Sequence, residues 1–413
     1  MKGVAIFKSK RKTKNYIVSL YVFLALALYG AEGYTYFAQV AGIILFMQFV
    51  FSAILKGKIR VSDTMYVLPL FFMIMMLGGI PFPNSYSLLF TQFQIFLLVL
   101  AIFNAFSNGE NLDYILWTFW FGCLAITIIQ ILGGRQVVLV NLQSFAERTG
   151  GTAGNVNDFA LMLLMAINFI LLTFLRQNTT KTFGITEVIK IALLIVFVHE
   201  VVFVTVSKSA SLILFLSLVA FYYLKIQSYD IKSKVIFIPI TIGAVMWIVL
   251  NINSLDLRLI DRLTLMVESF GHGQGSGDTS TVQRASLLQE GYRLFKERPL
   301  LGWGTGQFRW VNQVHYGFYS HNNFIEIAVN HGIIALVLFY SSHGMILTQL
   351  YQLKSRFRSN LELKWLMYMV CVLFLLDMAY VTYYNKVYYI VFMYVLARKK
   401  SLRRELMTEE RII

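Results

Sequence analysis

Apolar stretches of about the length that crosses a bilayer recur along almost the whole chain, and they restrict the folds open to it. A membrane-spanning helix needs about 20 mainly apolar residues. Twelve stretches approach this length: 16–31, 34–55, 64–80, 88–107, 112–132, 158–175, 186–206, 209–224, 235–251, 322–348, 363–383 and 386–397. Because lipid offers no hydrogen-bond partners, each stretch must satisfy its own backbone as a helix. The sequence therefore predicts an all-α, polytopic membrane helix bundle of about twelve transmembrane helices.

The positions of the basic residues predict the orientation of this bundle. Only 14% of the 413 residues are charged, whereas soluble domains carry about 25%. The net charge is nevertheless +15. Lysines and arginines flank the spans and concentrate in alternate connections and at both ends of the chain, which is typical of cytoplasmic segments. We therefore predict a multi-pass protein with both termini in the cytoplasm, and we do not interpret the positive charge as a nucleic-acid site.

The start of the chain and its cysteines agree with this interpretation. Residues 16–29 follow a basic start without a good cleavage site, so we predict a retained first span. Cys123 and Cys371 both lie within apolar spans, which argues against a disulfide bond or a zinc site. The sequence also lacks a nucleotide-sugar motif and a paired carboxylate metal site. We accordingly predict no metal and no cofactor.

One long connection interrupts the series of short links between spans. Residues 252–321 contain seven basic and six acidic residues, and long loops cross the membrane largely regardless of their charge. We predict nine transmembrane helices in 1–251, a large extracytoplasmic loop in 252–321, and three transmembrane helices with a basic cytoplasmic tail in 322–413. Within the loop, a flexible Gly/Ser-rich segment precedes an amphipathic helix that ends before Pro299. Its apolar face would carry Leu288, Tyr292 and Phe295.

Several ionisable residues are predicted to lie near the outer face of the membrane. Arg148 precedes the sixth span, Lys208 lies in a tight hairpin, and Arg284 begins the loop helix. Arginine binds phosphate with two parallel hydrogen bonds and keeps its charge. His321, at the outer end of the tenth span, has an ordinary pKa suited to accepting a proton near neutral pH. The structural alternatives are surface arginines, an interfacial lysine and a helix-capping histidine.

Three more ionisable residues lie within the spans themselves. His199 and Glu200 fall in the seventh span and Asp377 in the eleventh, all predicted to be in the outer half of the bilayer. Ionisable groups inside spans are energetically unfavourable, so they usually pair with a partner or take part in function. An ion pair of Glu200 with Lys208 is the structural alternative.

Glycine and aromatic residues follow the loop helix. Gly302, Gly304 and Gly306 resemble a phosphate cradle, but a tight turn at the membrane explains them better, because no dinucleotide-binding fold or Walker lysine accompanies them. Aromatic residues nearby could stack on sugar rings or anchor the chain at the membrane interface. They are Trp303, Trp310, Tyr316 and Tyr319.

Four segments together resemble the O-antigen ligase and O-antigen polymerase superfamily of bacterial surface-polysaccharide enzymes. They are RTGGTAGNVNDFA (148–160), SKSASL (207–212), RASLLQEGYRLFKERPLLGWGTGQF (284–308) and SHNNFIEIAVNHGIIAL (320–336). The resemblance covers residues 148–336 in order, spacing and topology. Two positions depart from the family pattern: Val156 replaces a frequent proline, and Lys208 replaces a frequent arginine.

The resemblance implies a metal-independent glycosyltransferase at the outer face of the bacterial inner membrane, with a glycan on undecaprenyl diphosphate as its donor. Arg148 and Arg284 would neutralise the diphosphate leaving group with help from Lys208. His321 would orient or deprotonate the acceptor hydroxyl. Further predicted substrate contacts are Asn322, Glu326 and Trp303.

Three functions remain open on the sequence. Our first interpretation is a polymerase that joins repeat units of surface polysaccharide. The second is a ligase that moves finished glycan to a lipid or protein acceptor. The third, from another class, is a transporter of polysaccharide or lipid-linked oligosaccharide, which would place ionisable groups near the bilayer midplane. Expected partners are the lipid-linked oligosaccharide, membrane lipids and, for a polymerase, a chain-length regulator.

Overall fold

The computed structural model describes residues 16–31, 34–57, 64–107, 112–132, 137–138, 148–149, 156–176, 184–205, 207–227 and 279–412. Helices dominate this part of the chain, and the elements are as follows. The helices are α1 (Tyr16–Ala27), α2 (Thr35–Lys56), α3 (Thr64–Gly79), α4 (Tyr86–Phe106), α5 (Leu112–Leu132), α6 (Val156–Arg176), α7 (Ile185–His199), α8 (Lys208–Gln227), α9 (Thr279–Glu297), α10 (Phe308–Val311), α11 (Asn323–Arg356), α12 (Leu361–Asp377) and α13 (Lys386–Ile412). A 3-10 turn (Pro83–Ser85) precedes α4, a π-helical turn (Glu200–Val204) follows α7, and the antiparallel pair β1 (Val137–Val138) and β2 (Arg148–Thr149) lies between α5 and α6.

The prediction of a polytopic helical membrane protein fits these elements. Six helices of the described residues are long and apolar enough to cross a bilayer, namely α2, α4, α5, α6, α8 and α11. Helices α1 and α3 are apolar but shorter. The predicted span 235–251 and the loop up to residue 278 lie outside the described residues. The number of twelve spans and the large loop therefore stay predictions.

The last two helices have different bounds from the predicted spans 363–383 and 386–397. Helix α12 ends at Asp377, because the following segment turns back and donates the Thr382 and Tyr383 amides to the side-chain oxygen of Asn323, at 3.0 and 3.1 Å. Helix α13 continues to Ile412. Ion pairs of its charged half with neighbouring helices, such as Arg398 with Glu362 at 2.6 Å, accompany this extension.

The chain forms two compact units. One unit contains Met1–Gly134, Gly151–Gly154 and Gln283–Ile413, and the other contains Arg135–Gly150 and Asn155–Val282. In the first unit α11 packs along α3 and α12, and α13 packs along α4. In the second unit α6 is the central helix and packs against α7 and α8.

Helix α9 uses two apolar stripes. The predicted helix is confirmed, and it ends at Glu297, before Pro299. Its buried residues, however, are Leu287 and Leu294, which pack against Phe308 and Val329. Leu288 and Tyr292, of the predicted face, remain 37% and 57% exposed. Phe295, the third residue of the predicted face, packs against this buried cluster, so only Leu288 and Tyr292 of that face stay available for the membrane surface.

A glycine turn enters a break in α11. Gly332 has φ of 73° inside that helix, where the helical hydrogen-bond pattern is interrupted. The freed carbonyls of Val329 and Asn330 each accept a bond of 2.8 Å, from the amides of Trp303 and Gly304. The Ile333 amide donates to the Pro299 carbonyl at 2.8 Å. The segment 299–304 thus replaces the missing turn of α11 and fixes α9 relative to it.

Candidate functional site

His321 stands in a strained but well-supported turn just before α11. Its φ of 55° is the only positive value among the non-glycine residues that the structure describes, and such a conformation is energetically unfavourable for most side chains. The neighbouring Ser320 stabilises the turn. Its amide donates to the buried carboxylate of Glu326 at 2.8 Å, and its hydroxyl bonds both the carbonyl and the amide of Asn322. These bonds therefore fix the backbone of the turn that carries the imidazole.

Two arginines act electrostatically on His321. Burial is the main cause that lowers the pKa of His321 from 6.5 to about 4, and the positive charges of Arg284 and Arg309 lower it further. At neutral pH the imidazole is consequently uncharged, and it can accept a proton. The structure thus brings together Arg284 and His321, which were both predicted as site residues, and adds Arg309.

Arg309 was missed by the sequence analysis. It belongs to α10, and its guanidinium carbon lies 5.3 Å from the centre of the Tyr319 ring. Its Nη2 atom donates to the Tyr384 hydroxyl at 3.5 Å. Tyr319 in turn packs on His321 with ring centres 4.1 Å apart. A signal was available, since Arg309 immediately follows the glycine-rich motif and stands among aromatic residues.

The two arginines near His321 differ from other cations of this unit. Arg293 bonds Glu290 and Glu297, and Arg398 bonds Glu362 and Glu405. Within the described part of the chain, no carboxylate oxygen lies within 4.0 Å of a guanidinium nitrogen of Arg284 or Arg309. Half-buried arginines without a carboxylate at bonding distance are suited to bind an anionic ligand.

A buried polar network holds the segment that contacts Arg309. The Asp377 carboxylate accepts hydrogen bonds from Thr382 and, at 3.3 Å, from the hydroxyl of Tyr388. The side chain of Asn323 accepts from the Thr382 and Tyr383 amides. These bonds fix the segment between α12 and α13, which carries the Tyr384 hydroxyl to Arg309. Asp377, predicted as a functional or paired residue, is therefore a paired structural group.

The family comparison covers the part of the chain that contains these residues. Residues 191–340 match the family model of O-antigen ligase. The resemblance found in the sequence is thereby confirmed for residues 191–340, which include Arg284, Arg309 and His321, whereas segment 148–160 lies outside the match. No curated protein matches the chain. With its apolar helices, the O-antigen ligase match supports a bacterial membrane protein that acts in O-antigen-type polysaccharide assembly.

The glycine turn between α9 and α10 does not offer a phosphate cradle. Gly302, Gly304 and Gly306 have φ of 71°, 111° and 70°, so the predicted tight turn is confirmed. The amides of residues 302 to 305 and of 307 all donate to backbone carbonyls. These amides are therefore engaged, and the turn contributes to the site by positioning rather than by binding.

Three predicted substrate contacts make structural bonds. Trp303 donates its indole N–H to the Leu294 carbonyl at 3.0 Å and packs beside the core of α9. Asn322 caps α11 by accepting the Ile325 amide at 3.0 Å. Glu326 is buried and accepts the Ser320 amide. A direct role of these three residues in substrate binding stays a prediction.

The predicted sugar-stacking residues divide into two places. Trp303, Trp310 and Tyr316 line an open cavity of about 540 Å³ beside α9. Trp310 and Tyr316 pack edge to face with ring centres 5.6 Å apart, and they are 42% and 69% exposed. Tyr319 packs on His321 instead. Exposed aromatic faces are suitable for stacking on a glycan.

The other predicted cations belong to the second unit. Arg148 lies in β2, and Lys208 begins α8 after Ser207, whose hydroxyl bonds the Asn157 side chain at 3.3 Å. The roles of Arg148 and Lys208 stay predictions.

The sequence analysis also expected paired or functional ionisable residues, His199 and Glu200, in the seventh span, and it expected no metal site. His199 lies 3.4 Å from the carboxylate of Glu200 in the π-helical turn, whereas the alternative pair of Glu200 with Lys208 stays a prediction. Among the described residues, no group of three or more His, Cys, Asp or Glu side chains could hold a metal ion.

Proposed function

We propose that this protein is a glycosyltransferase that moves a glycan from a polyprenyl diphosphate carrier to a hydroxyl acceptor at the extracytoplasmic face of the bacterial inner membrane. The observation that carries the proposal is an uncharged His321 beside Arg284 and Arg309, neither of which has a carboxylate at bonding distance in the described part of the chain. A proton acceptor and adjacent cations are the two features that this transfer needs.

The proposed reaction requires one proton transfer and one displacement. The imidazole of His321 accepts the proton of the acceptor hydroxyl, while the acceptor oxygen forms a bond to the anomeric carbon. The bond between that carbon and the diphosphate oxygen breaks, and its electron pair leaves with the carrier. Arg284 and Arg309 stabilise the negative charge that develops on the diphosphate. His321 then releases its proton to water. Arg148 and Lys208 are proposed as additional cations for the leaving group.

The acceptor distinguishes the two candidate activities. We favour a polymerase, in which the acceptor is another lipid-linked repeat unit and a chain-length regulator is a further partner. A ligase, which transfers finished glycan to a lipid or protein, is the second candidate, because the matching family model carries that description. Electrophoresis of surface glycans from a deletion strain separates them: loss of a polymerase leaves single capped units, whereas loss of a ligase leaves uncapped lipid-linked chains.

A His321→Asn variant tests the proposed chemistry. Asparagine tolerates positive φ, so the turn should persist, but it is not a base at neutral pH. Purified protein with synthetic lipid-linked repeat units should lose product formation by about 10²-fold or more, the usual contribution of a positioned base. Lys296→Ala is the control, because Lys296 is exposed on α9. Normal product from His321→Asn would exclude His321 as the base, whereas absence of product from the unmodified protein would favour the transporter.

A further inference from the structure

A cavity lies between α1, α2 and α4 of the first unit, and the residues that line it lie outside the part of the chain that the family model matches. Its volume is about 410 Å³, which is within the range of small-molecule sites. Its wall is mainly apolar and includes Ala25, Leu28, Ile43, Phe46, Leu97 and Leu98. An occupant of this space must therefore be largely hydrocarbon.

One end of the cavity is cationic. Lys386, the first residue of α13, lines the cavity, and its ammonium group bonds the neutral side-chain oxygen of Gln94 at 3.0 Å. No carboxylate oxygen in the described ranges lies within 4.0 Å of that ammonium group. A half-buried ammonium group bonded to an amide retains the capacity to pair with an anion.

The same end of the cavity reaches the candidate active site. Tyr384 also lines the cavity, and its hydroxyl accepts the hydrogen bond of 3.5 Å from Arg309. Arg309 contributes to the charge that acts on His321. Tyr384 therefore connects the apolar cavity to Arg309, which in turn lies near His321. A ligand with a long hydrocarbon tail and an anionic head would match this order of surfaces.

We propose that this cavity binds the first isoprene units of the polyprenyl diphosphate carrier, with Lys386 as an additional cation for its diphosphate. The inference rests on the proposed function, because it assigns the tail of the same donor. It gives α1, α2 and α4 a role in holding the donor chain. Arg309 and Lys386 then contact the diphosphate from the two sides of Tyr384, and the glycan extends toward His321.

Binding of undecaprenyl diphosphate to the purified full-length protein in detergent tests this proposal. Ala38→Phe fills the cavity from α2, and Leu97→Trp fills it from α4, so that two independent variants guard against misfolding of one. Each should weaken binding by about tenfold or more, because several buried methylene contacts are lost. Ala53→Phe adds the same volume on α2 outside the cavity lining and should bind normally.

Two ligands, with and without the diphosphate, distinguish binding of the headgroup from binding of the polyprenyl tail. Lys386→Met should weaken binding of undecaprenyl diphosphate by about tenfold but leave that of undecaprenol unchanged, since only the former carries charge. Lys296→Met is its control. Normal binding by both cavity-filling variants, when they elute as folded protein, would overturn the proposal. Equal displacement of the ligand by dioleoylphosphatidylglycerol would also overturn it, and would assign the cavity to membrane phospholipid.

The outcome is independent of the catalytic role of His321. His321→Asn should bind undecaprenyl diphosphate like the unmodified protein. If His321→Asn keeps making product while the cavity-filling variants lose binding, the proposed base is wrong and the proposed site for the polyprenyl tail is supported. If His321→Asn is inactive while the cavity-filling variants bind normally, the proposed site for the polyprenyl tail is wrong and the proposed function is supported.

Discussion

At the scale of single residues, the cluster around His321 combines a proton acceptor with charges that keep it unprotonated. Burial of the ring and the two nearby arginines act in the same direction on its pKa. The same arginines would meet the diphosphate, so a bound donor would partly cancel their effect on the ring. In the proposed mechanism the imidazole is uncharged in the free protein and can accept a proton. The bound diphosphate would raise the pKa of His321, so that the ring keeps this proton during the displacement.

The pH dependence of activity should show this lowered pKa. His321 must be uncharged to accept a proton, so kcat/KM should stay high from pH 7 downward and decline only as the pH approaches about 4. Arg284→Ala removes one of the two charges and should move this acidic limb toward the ordinary value of 6.5. Initial rates measured between pH 4 and 8 check both expectations. An acidic limb at the same pH in both proteins would contradict the electrostatic role of Arg284.

Arg309 should be required for transfer although the sequence analysis missed it. Arg309→Ala removes a guanidinium that packs on Tyr319 and bonds Tyr384. We expect kcat to fall by about 10²-fold, the scale of losing one preorganised charge in a site of this kind. Arg309→Lys should recover only part of the rate, because lysine lacks the planar fork. Assays with lipid-linked repeat units and Lys296→Ala as the control test this; unchanged rates in Arg309→Ala would contradict it.

At the scale of elements, the break in α11 determines where the active-site loop lies. A Cβ atom at Gly332 would stand 2.0 Å from the carbonyl oxygen of Leu300, and one at Gly302 would stand 2.5 Å from the Asn330 backbone. The close approach of two backbones therefore requires glycine on both sides. Through this contact the turn holds α9, with Arg284, and α10, with Arg309, against the segment that carries His321.

Gly332→Ala should disrupt the contact between the glycine turn and α11 while the rest of the helix stays folded. The substitution both forces an L-residue into a left-handed backbone conformation and collides with Leu300, so the turn should detach. We expect loss of glycosyl transfer and a lower unfolding temperature at nearly unchanged helix content, measured by circular dichroism. Gly344→Ala is the matched control on the same helix, because its Cβ would meet no atom within 4 Å. Full activity of Gly332→Ala would contradict the positioning role.

At the scale of the whole molecule, the placement of charge along the chain predicts which side of the membrane each segment faces. The proposed function depends on this orientation, since the proposed lipid-linked glycan would have to meet His321 at the extracytoplasmic face. Helix α13 carries six basic residues between 398 and 411 and is predicted to end in the cytoplasm.

Cysteine labelling in whole cells should verify the orientation. In a variant whose two native cysteines are replaced by alanine, Lys296→Cys should react with a membrane-impermeant maleimide, because Lys296 is exposed on α9, which is predicted to be extracytoplasmic. Arg403 is exposed on the part of α13 that is predicted to be cytoplasmic, so Arg403→Cys should react only after the cells are opened. Labelling of Arg403→Cys in intact cells would show that the predicted topology is wrong.

The sequence by itself determined the helices, because bilayer-length apolar stretches leave the backbone no other way to satisfy its hydrogen bonds. It also indicated the α9 helix, the glycine turn, and Arg148, Arg284 and His321 as candidate site residues, since these depend on local composition and on motif order. Only the tertiary structure decided that the turn enters α11 at Gly332, that Asp377 is a structural group, and that Arg309 and Tyr384 join His321. Those contacts connect residues up to 75 positions apart, and their energies come from burial and packing between elements, which no local pattern specifies.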